Sequence, residues 1–164
     1  MSDTTFNPLD DPNADPFAIA AQAADDIARL SGVAHHDIAL TLGSGWGRAA
    51  ELLGETVASI PATDVTGFSK PALEGHVGTL RSVRTPGGKH VLVIGARTHF
   101  YEDHGVRRVV HSVRTAAATG AQTMVLTNGA GGIRPTWTPG QPVLISDHIN
   151  LTAASPLEGA TSID

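Results

Sequence analysis

Cysteine is absent from the chain, which excludes a disulfide framework and any thiolate metal site. The absence fits a reducing compartment, and a cytoplasmic protein is the expectation. Aromatic residues are scarce at 4%. The apolar content rests on Ala, Val, Ile and Leu, a balance that suits a sheet flanked by helices better than a small all-β sandwich. Basic residues are outnumbered, 11 against 16 acidic ones, for a net charge of −5. No basic stripe is present to neutralise a nucleic-acid backbone, so no nucleic-acid partner is expected. No apolar run approaches the roughly 18 residues of a membrane span. Met1 to Asp15 has neither the basic patch nor the apolar core of a signal peptide.

The remaining 41% of hydrophobic residues over 164 positions is enough for one domain with a real core. Residues 1–15, rich in Asp, Asn, Pro and Thr, read as a flexible leader. Asp15-Pro16 caps and starts a helix that carries Phe17, Ile19, Ala20, Ala23, Ala24, Ile27 and Leu30 and stops at Gly32. A strand at 38–42, a short helix at 48–53 and a strand at 56–60 follow. Loop is expected over 64–75, then a hairpin of 76–84 and 89–95 around Pro86-Gly87-Gly88. The spacing of Val106, Val109, Val110, Val113, Ala116 and Ala117 predicts a helix over 106–119. Residues 122–127 read as a buried-type strand and 142–146 as a last strand. Alternating strands and helices indicate an α/β protein with a largely parallel or mixed sheet, in which ligands sit beyond the carboxyl ends of the strands.

Two of those strand ends run into glycine-rich turns. Gly43-Ser44-Gly45-Trp46-Gly47 lets the backbone bring its N–H groups to an anion at a helix start, with the Ser44 hydroxyl as a further donor. The spacing is not that of a P-loop. A dinucleotide fingerprint fits poorly, because the third glycine comes one residue early and the following helix is too short for a crossover. A plain tight turn is the competing reading. The second turn, Asn128-Gly129-Ala130-Gly131-Gly132, offers backbone donors around Gly129, with Asn128 as a polar anchor. Two such turns in one sheet converge on one crevice.

A third strand end supplies side chains. If the extended backbone persists past residue 95, Arg97, His99 and Tyr101 share one face. Arg97 brings a guanidinium fork suited to phosphate. His99 can donate to an anion or carry a proton, Tyr101 can pack beside a sugar, and Glu102 can orient His99. A polar loop rim is the bland alternative. His76 stands alone between glycines, and eight histidines raise the question of zinc. Only His99 and His104 have ligand-like spacing, so no metal site is expected. Ser44 lacks a nucleophile-elbow context, so no hydrolase triad is expected.

Taken in order, Leu42-Gly43-Ser44-Gly45-Trp46-Gly47, Gly75-His76-Val77-Gly78, Arg97-Thr98-His99-Phe100-Tyr101-Glu102, Thr127-Asn128-Gly129-Ala130-Gly131-Gly132 and 146–151 resemble the trimeric class of purine nucleoside phosphorylases. The stretch at 141–157 is most similar to the actinobacterial branch. The resemblance implies a phosphorylase/hydrolase-like three-layer fold with a mixed central sheet. It also implies phosphorolysis of a purine (deoxy)ribonucleoside to the free base and pentose 1-phosphate, as in purine salvage. It implies no cofactor and no metal, and a homotrimer for the full-length assembly. Carried over by position, Ser44, Arg97, His99 and the Gly129 backbone would hold phosphate, with His99 counted as catalytic. His76 would stand where phosphate meets sugar, Tyr101 would touch the ribose, and Asn128 and Glu102 would support them.

The family continues past the position of Asp164 with the groups that grip the purine. Residues 16–164 are therefore expected to be the N-terminal part of a single nucleoside phosphorylase domain, with the fold incomplete at its C-terminus. The 164-residue chain is expected to be inactive or impaired on its own. Ser162 stands near a position where relatives carry an aromatic residue that reaches a neighbouring subunit. Methylthioadenosine phosphorylase and a non-catalytic anion-binding or assembly module on the same scaffold are the rival readings.

Overall fold

In the computed structural model, which describes residues 6–43, 45–69, 78–102 and 104–157, helix α1 (Pro16–Ser31) starts where the cap residues require. The Asp15 carboxylate accepts the Phe17 N–H at 2.9 Å, and Pro16 fills the first helical position, where its missing N–H costs nothing. Gly32 ends the helix at φ 71° and donates its N–H to Ala28 O, a left-handed cap that favours glycine. Ala20, Ala23, Ala24 and Ile27 form the buried face. Phe17 and Leu30 at its ends stay half exposed.

Five strands follow: β1 (Ile38–Thr41), β2 (Glu55–Pro61), β3 (Thr79–Arg84), β4 (His90–Ile94) and β5 (Thr123–Leu126). They form one mixed sheet in the order β2-β3-β4-β1-β5. The β2-β3-β4 meander is antiparallel, with the expected hairpin closed by Thr85 N–H to Lys89 O at 2.9 Å. β1 lies parallel to both β4 and β5. Period-two alternation divides the apolar side chains between the two faces. Leu92 and Ile94 of β4 join Ala39, Leu80, Ala23, Ile27 and Ala116 under the helices. Val91 and Val93 face the other way and pack with Val83, Leu40 and Ala50 of the 3-10 segment Gly47–Leu52. With β2 antiparallel at the far edge of the sheet, the first glycine turn cannot open a dinucleotide-binding unit.

Several expectations are corrected. The single helix over 106–119 is two, α2 (Gly105–Val109) and α3 (His111–Ala118), separated at Val110. The buried face of α3 is His111, Thr115 and Ala116, while Val113 and Ala117 point outward. His111 sets that orientation: its Nε2 lies 2.9 Å from Thr66 O, and its ring packs on Phe68 with centroids 4.9 Å apart. Strand β5 is not buried. Among the described residues it pairs with β1 on one side only, and Val125 and Leu126 are 42% and 62% exposed. Residues 142–146 carry no strand and have no ladder partner among the described residues.

Residues 1–15 were expected to be a flexible leader, and residues 6–15 lie against the body of the fold. Leu9 and Asn7 are buried there. Asn7 Nδ2 donates to Gly67 O at 3.0 Å, and Arg107 and Arg108 of α2 hold Asp11 O and the Asp10 carboxylate.

Candidate functional site

The parallel strands β1, β4 and β5 all end on the same side of the sheet, and the three turns beyond them meet. Thr127, just after β5, ties the first two together. Its backbone N–H donates to Thr41 O at 3.0 Å. Its hydroxyl donates to the same carbonyl at 2.9 Å and accepts the Gly43 N–H at 2.8 Å. Trp46 adds a second tie, its indole N–H donating to Asn128 O at 3.3 Å. The convergence expected from two glycine turns is therefore present, with the Gly43 and Asn128-Gly129 segments side by side.

Arg97 enters from the end of β4. Its Nη1 donates to Thr127 O at 3.2 Å, while Nε and Nη2 lie 3.3 and 3.2 Å from His99 Nε2. Guanidinium nitrogens only donate, so His99 Nε2 accepts and its proton is on Nδ1. Nδ1 donates to Glu102 Oε1 at 2.6 Å, and the same oxygen accepts the His99 backbone N–H at 3.0 Å. Glu102 thus fixes both the ring and its tautomer, the orienting part the sequence suggests. Its other oxygen lies 3.9 Å from His104 Nε2. Of the five guanidinium N–H groups, three are engaged by the described residues, which leave one on each terminal nitrogen.

The shared face of Arg97, His99 and Tyr101 does not arise from continued extension, because the backbone turns into a 3-10 segment at Phe100–Glu102. The side chains still associate. The Tyr101 ring stacks on His99 with centroids 4.8 Å apart and 15° between planes, its other face in solvent. Asn128 and Gly129 lie exposed on the rim. Ser44, His76 and Ser162 fall outside the described residues. The sequence motifs assign no role to Thr127 or Trp46. Their contacts depend on the β1–β5 register, which no local pattern reveals. A separate cavity of about 640 Å³ opens at the amino ends of β1 and β4, away from this crevice. Its charged walls are already paired as Lys89–Asp37 and Arg84–Glu55.

The architecture is that of an α/β protein with a mixed sheet and a polar crevice at the carboxyl ends of its parallel strands. Residues 37–162 match the model of the Phosphorylase superfamily, and the chain belongs to that family. It is 60% identical over 161 residues to a purine nucleoside phosphorylase from Cellulomonas sp, covering 96% of this chain and 57% of the relative. It is 52% identical to the purine nucleoside phosphorylase of Mycobacterium tuberculosis, over 94% of this chain and 57% of the relative. Among solved structures, a purine nucleoside phosphorylase in complex with ribose-1-phosphate superposes with a TM-score of 0.64 at 27% identity, covering 73% of this chain and 43% of that one. The chain thus spans a little over half the length of these two relatives.

Proposed function

We propose that this chain carries the phosphate-holding part of a purine nucleoside phosphorylase. The observation that carries the reading is the meeting of three strand ends: the Gly43 turn, the Asn128-Gly129 turn and the Arg97–His99–Glu102 chain. Backbone N–H groups and a guanidinium with one free N–H on each terminal nitrogen form a site for a compact oxyanion. The 52–60% identity to proteins named purine nucleoside phosphorylase supports this reaction over methylthioadenosine phosphorolysis or a non-catalytic module.

In the proposed reaction a phosphate oxygen attacks C1′ of the nucleoside as the C1′–N bond breaks. Its electron pair leaves with the purine, which takes a proton, and the products are purine base and pentose 1-phosphate. The transition state has the oxocarbenium character of glycoside cleavage. An anion held in line beneath C1′ lowers that barrier by position and by charge. Arg97 and the Gly129 backbone fix the phosphate, with Ser44 expected beside them. His99, held in place by Glu102 and with both ring nitrogens engaged, steadies the Arg97 guanidinium beside the phosphate. Tyr101 presents its free face to the ribose, with His76 expected at the phosphate–sugar junction and Asn128 as support. No cofactor enters the scheme. The whole enzyme is proposed to be a cytoplasmic homotrimer.

Trp46 bridges the two glycine turns, so its emission should report on the crevice. Titrating the 164-residue chain with inorganic phosphate should change that emission saturably at millimolar concentrations or below, and Arg97→Gln should weaken the response at least about tenfold. No response, or an equal response from the variant, contradicts the assignment. The side chains gathered at this crevice among the described residues serve an anion and offer no purine grip. Inosine turnover by the 164-residue chain is therefore expected to be undetectable in a coupled assay.

A further inference from the structure

Within a parallel ladder, a residue bonds to the residues before and after its partner on the neighbouring strand. β1 and β5 pair in this way up to Thr41 and Leu126. Thr127 makes the next rung's first half, its N–H donating to Thr41 O at 3.0 Å. The second half of that rung would take the Gly43 N–H to the Thr127 carbonyl. The carbonyl does lie against Gly43, since a Cβ there would stand 2.6 Å from it. The bond is nevertheless not made. The Gly43 N–H goes to the Thr127 hydroxyl at 2.8 Å, and the carbonyl accepts Arg97 Nη1 at 3.2 Å.

We propose that Thr127 is a positioning residue: its hydroxyl replaces its own carbonyl in the ladder, and the released carbonyl aims Arg97 into the crevice. The hydroxyl can do this because it serves as donor and acceptor at once, donating to Thr41 O at 2.9 Å while accepting from Gly43. Without the hydroxyl, the Gly43 N–H loses its acceptor, and the Thr127 carbonyl, the one the parallel ladder would give it, is contested between Gly43 and Arg97. The guanidinium then loses its hold at Nη1 and keeps only the His99 side. Thr127 acts through Arg97, and the proposal rests on the reading of the crevice as a phosphate site.

The test uses the 164-residue chain with inorganic phosphate, followed by calorimetry, and the variants Thr127→Val and Thr127→Ser. Valine keeps the branched shape and removes the hydroxyl; serine keeps the hydroxyl. Thr127→Val is expected to raise the phosphate dissociation constant roughly tenfold, with Thr127→Ser within about twofold of the parent. In an Arg97→Lys background, which has no fork to aim, Thr127→Val should add less than about twofold. A merely structural role would instead lower affinity in both backgrounds alike. The proposal is overturned if Thr127→Val binds like the parent, if Thr127→Ser is as weak as Thr127→Val, or if the loss persists undiminished with Arg97→Lys. Where the valine variant does not fold, Thr127→Ala replaces it, and Thr127→Ala binding phosphate like the parent overturns the proposal. In each of these cases the parent still binds phosphate and the crevice reading survives. Failure of the parent chain to bind phosphate removes the crevice reading and this proposal together.

Discussion

At Gly43 a Cβ would stand 2.6 Å from Thr127 O, 3.1 Å from Asn128 Cα and 3.2 Å from Arg97 Nη1. The first two contacts are backbone, which cannot swing aside as a long side chain does. Gly43→Ala should therefore separate the two turns and displace Arg97, costing about 1–3 kcal/mol of stability and at least about tenfold in phosphate affinity. Gly47 in the same turn meets nothing within 4 Å at its Cβ position and has no unusual φ, so Gly47→Ala should be neutral in both. Urea unfolding and phosphate calorimetry on the pair check this, and equal behaviour of the two variants counts against the contact. At this scale the sequence was partly legible. Arg97, His99, Tyr101 and Glu102 could be named because they lie within a few residues of one another at a strand end. Thr127 could not, because its partner Gly43 is 84 positions away and only the β1–β5 register brings them together.

Element boundaries were readable wherever a local chemical signal sets them. Asp15, Pro16 and Gly32 bracket α1, and Pro86-Gly87-Gly88 marks the β3–β4 turn. Burial was less readable, because it depends on which neighbour an element acquires. The apolar run in β5 resembles an interior strand, yet among the described residues β5 has a partner on one side only. The valine spacing before Ala116 suggests one long helix, yet His111 anchors α3 by a different face. These differences give a direct contrast in the 164-residue chain. Leu92→Ala, at a fully buried position, should cost about 2–5 kcal/mol. Leu126→Lys, on the exposed strand, should change stability by less than about 0.5 kcal/mol and reduce self-association. Urea melts with analytical ultracentrifugation read both, and a large cost for Leu126→Lys would show that β5 is covered.

For the molecule as a whole, acid acts on the fold through its buried histidines. His36 is fully buried, with Nε2 3.0 Å from Ser82 Oγ and Nδ1 unpartnered. Burial, with His90 and His35 adding to it, pushes its pKa from 6.5 down to about 4, and burial moves His111 in the same direction. The native state keeps these rings neutral while the unfolded chain takes up protons below pH 6.5. Their contribution is therefore intact above that pH and lost as pH falls toward 4. His36 alone should lower the unfolding free energy by about 2 kcal/mol between pH 7.5 and pH 5. His36→Gln should flatten that slope in urea titrations, and an unchanged slope would contradict the assignment.

The central claim concerns where phosphate binds. A crystal structure of the chain grown with inorganic phosphate tests it most directly. The anion should lie about 3 Å from the Arg97 terminal nitrogens, between the Gly43 and Gly129 turns and beside His99. Phosphate seated instead at Arg84 in the cavity at the amino ends of β1 and β4, or an empty crevice at saturating phosphate, would contradict the account.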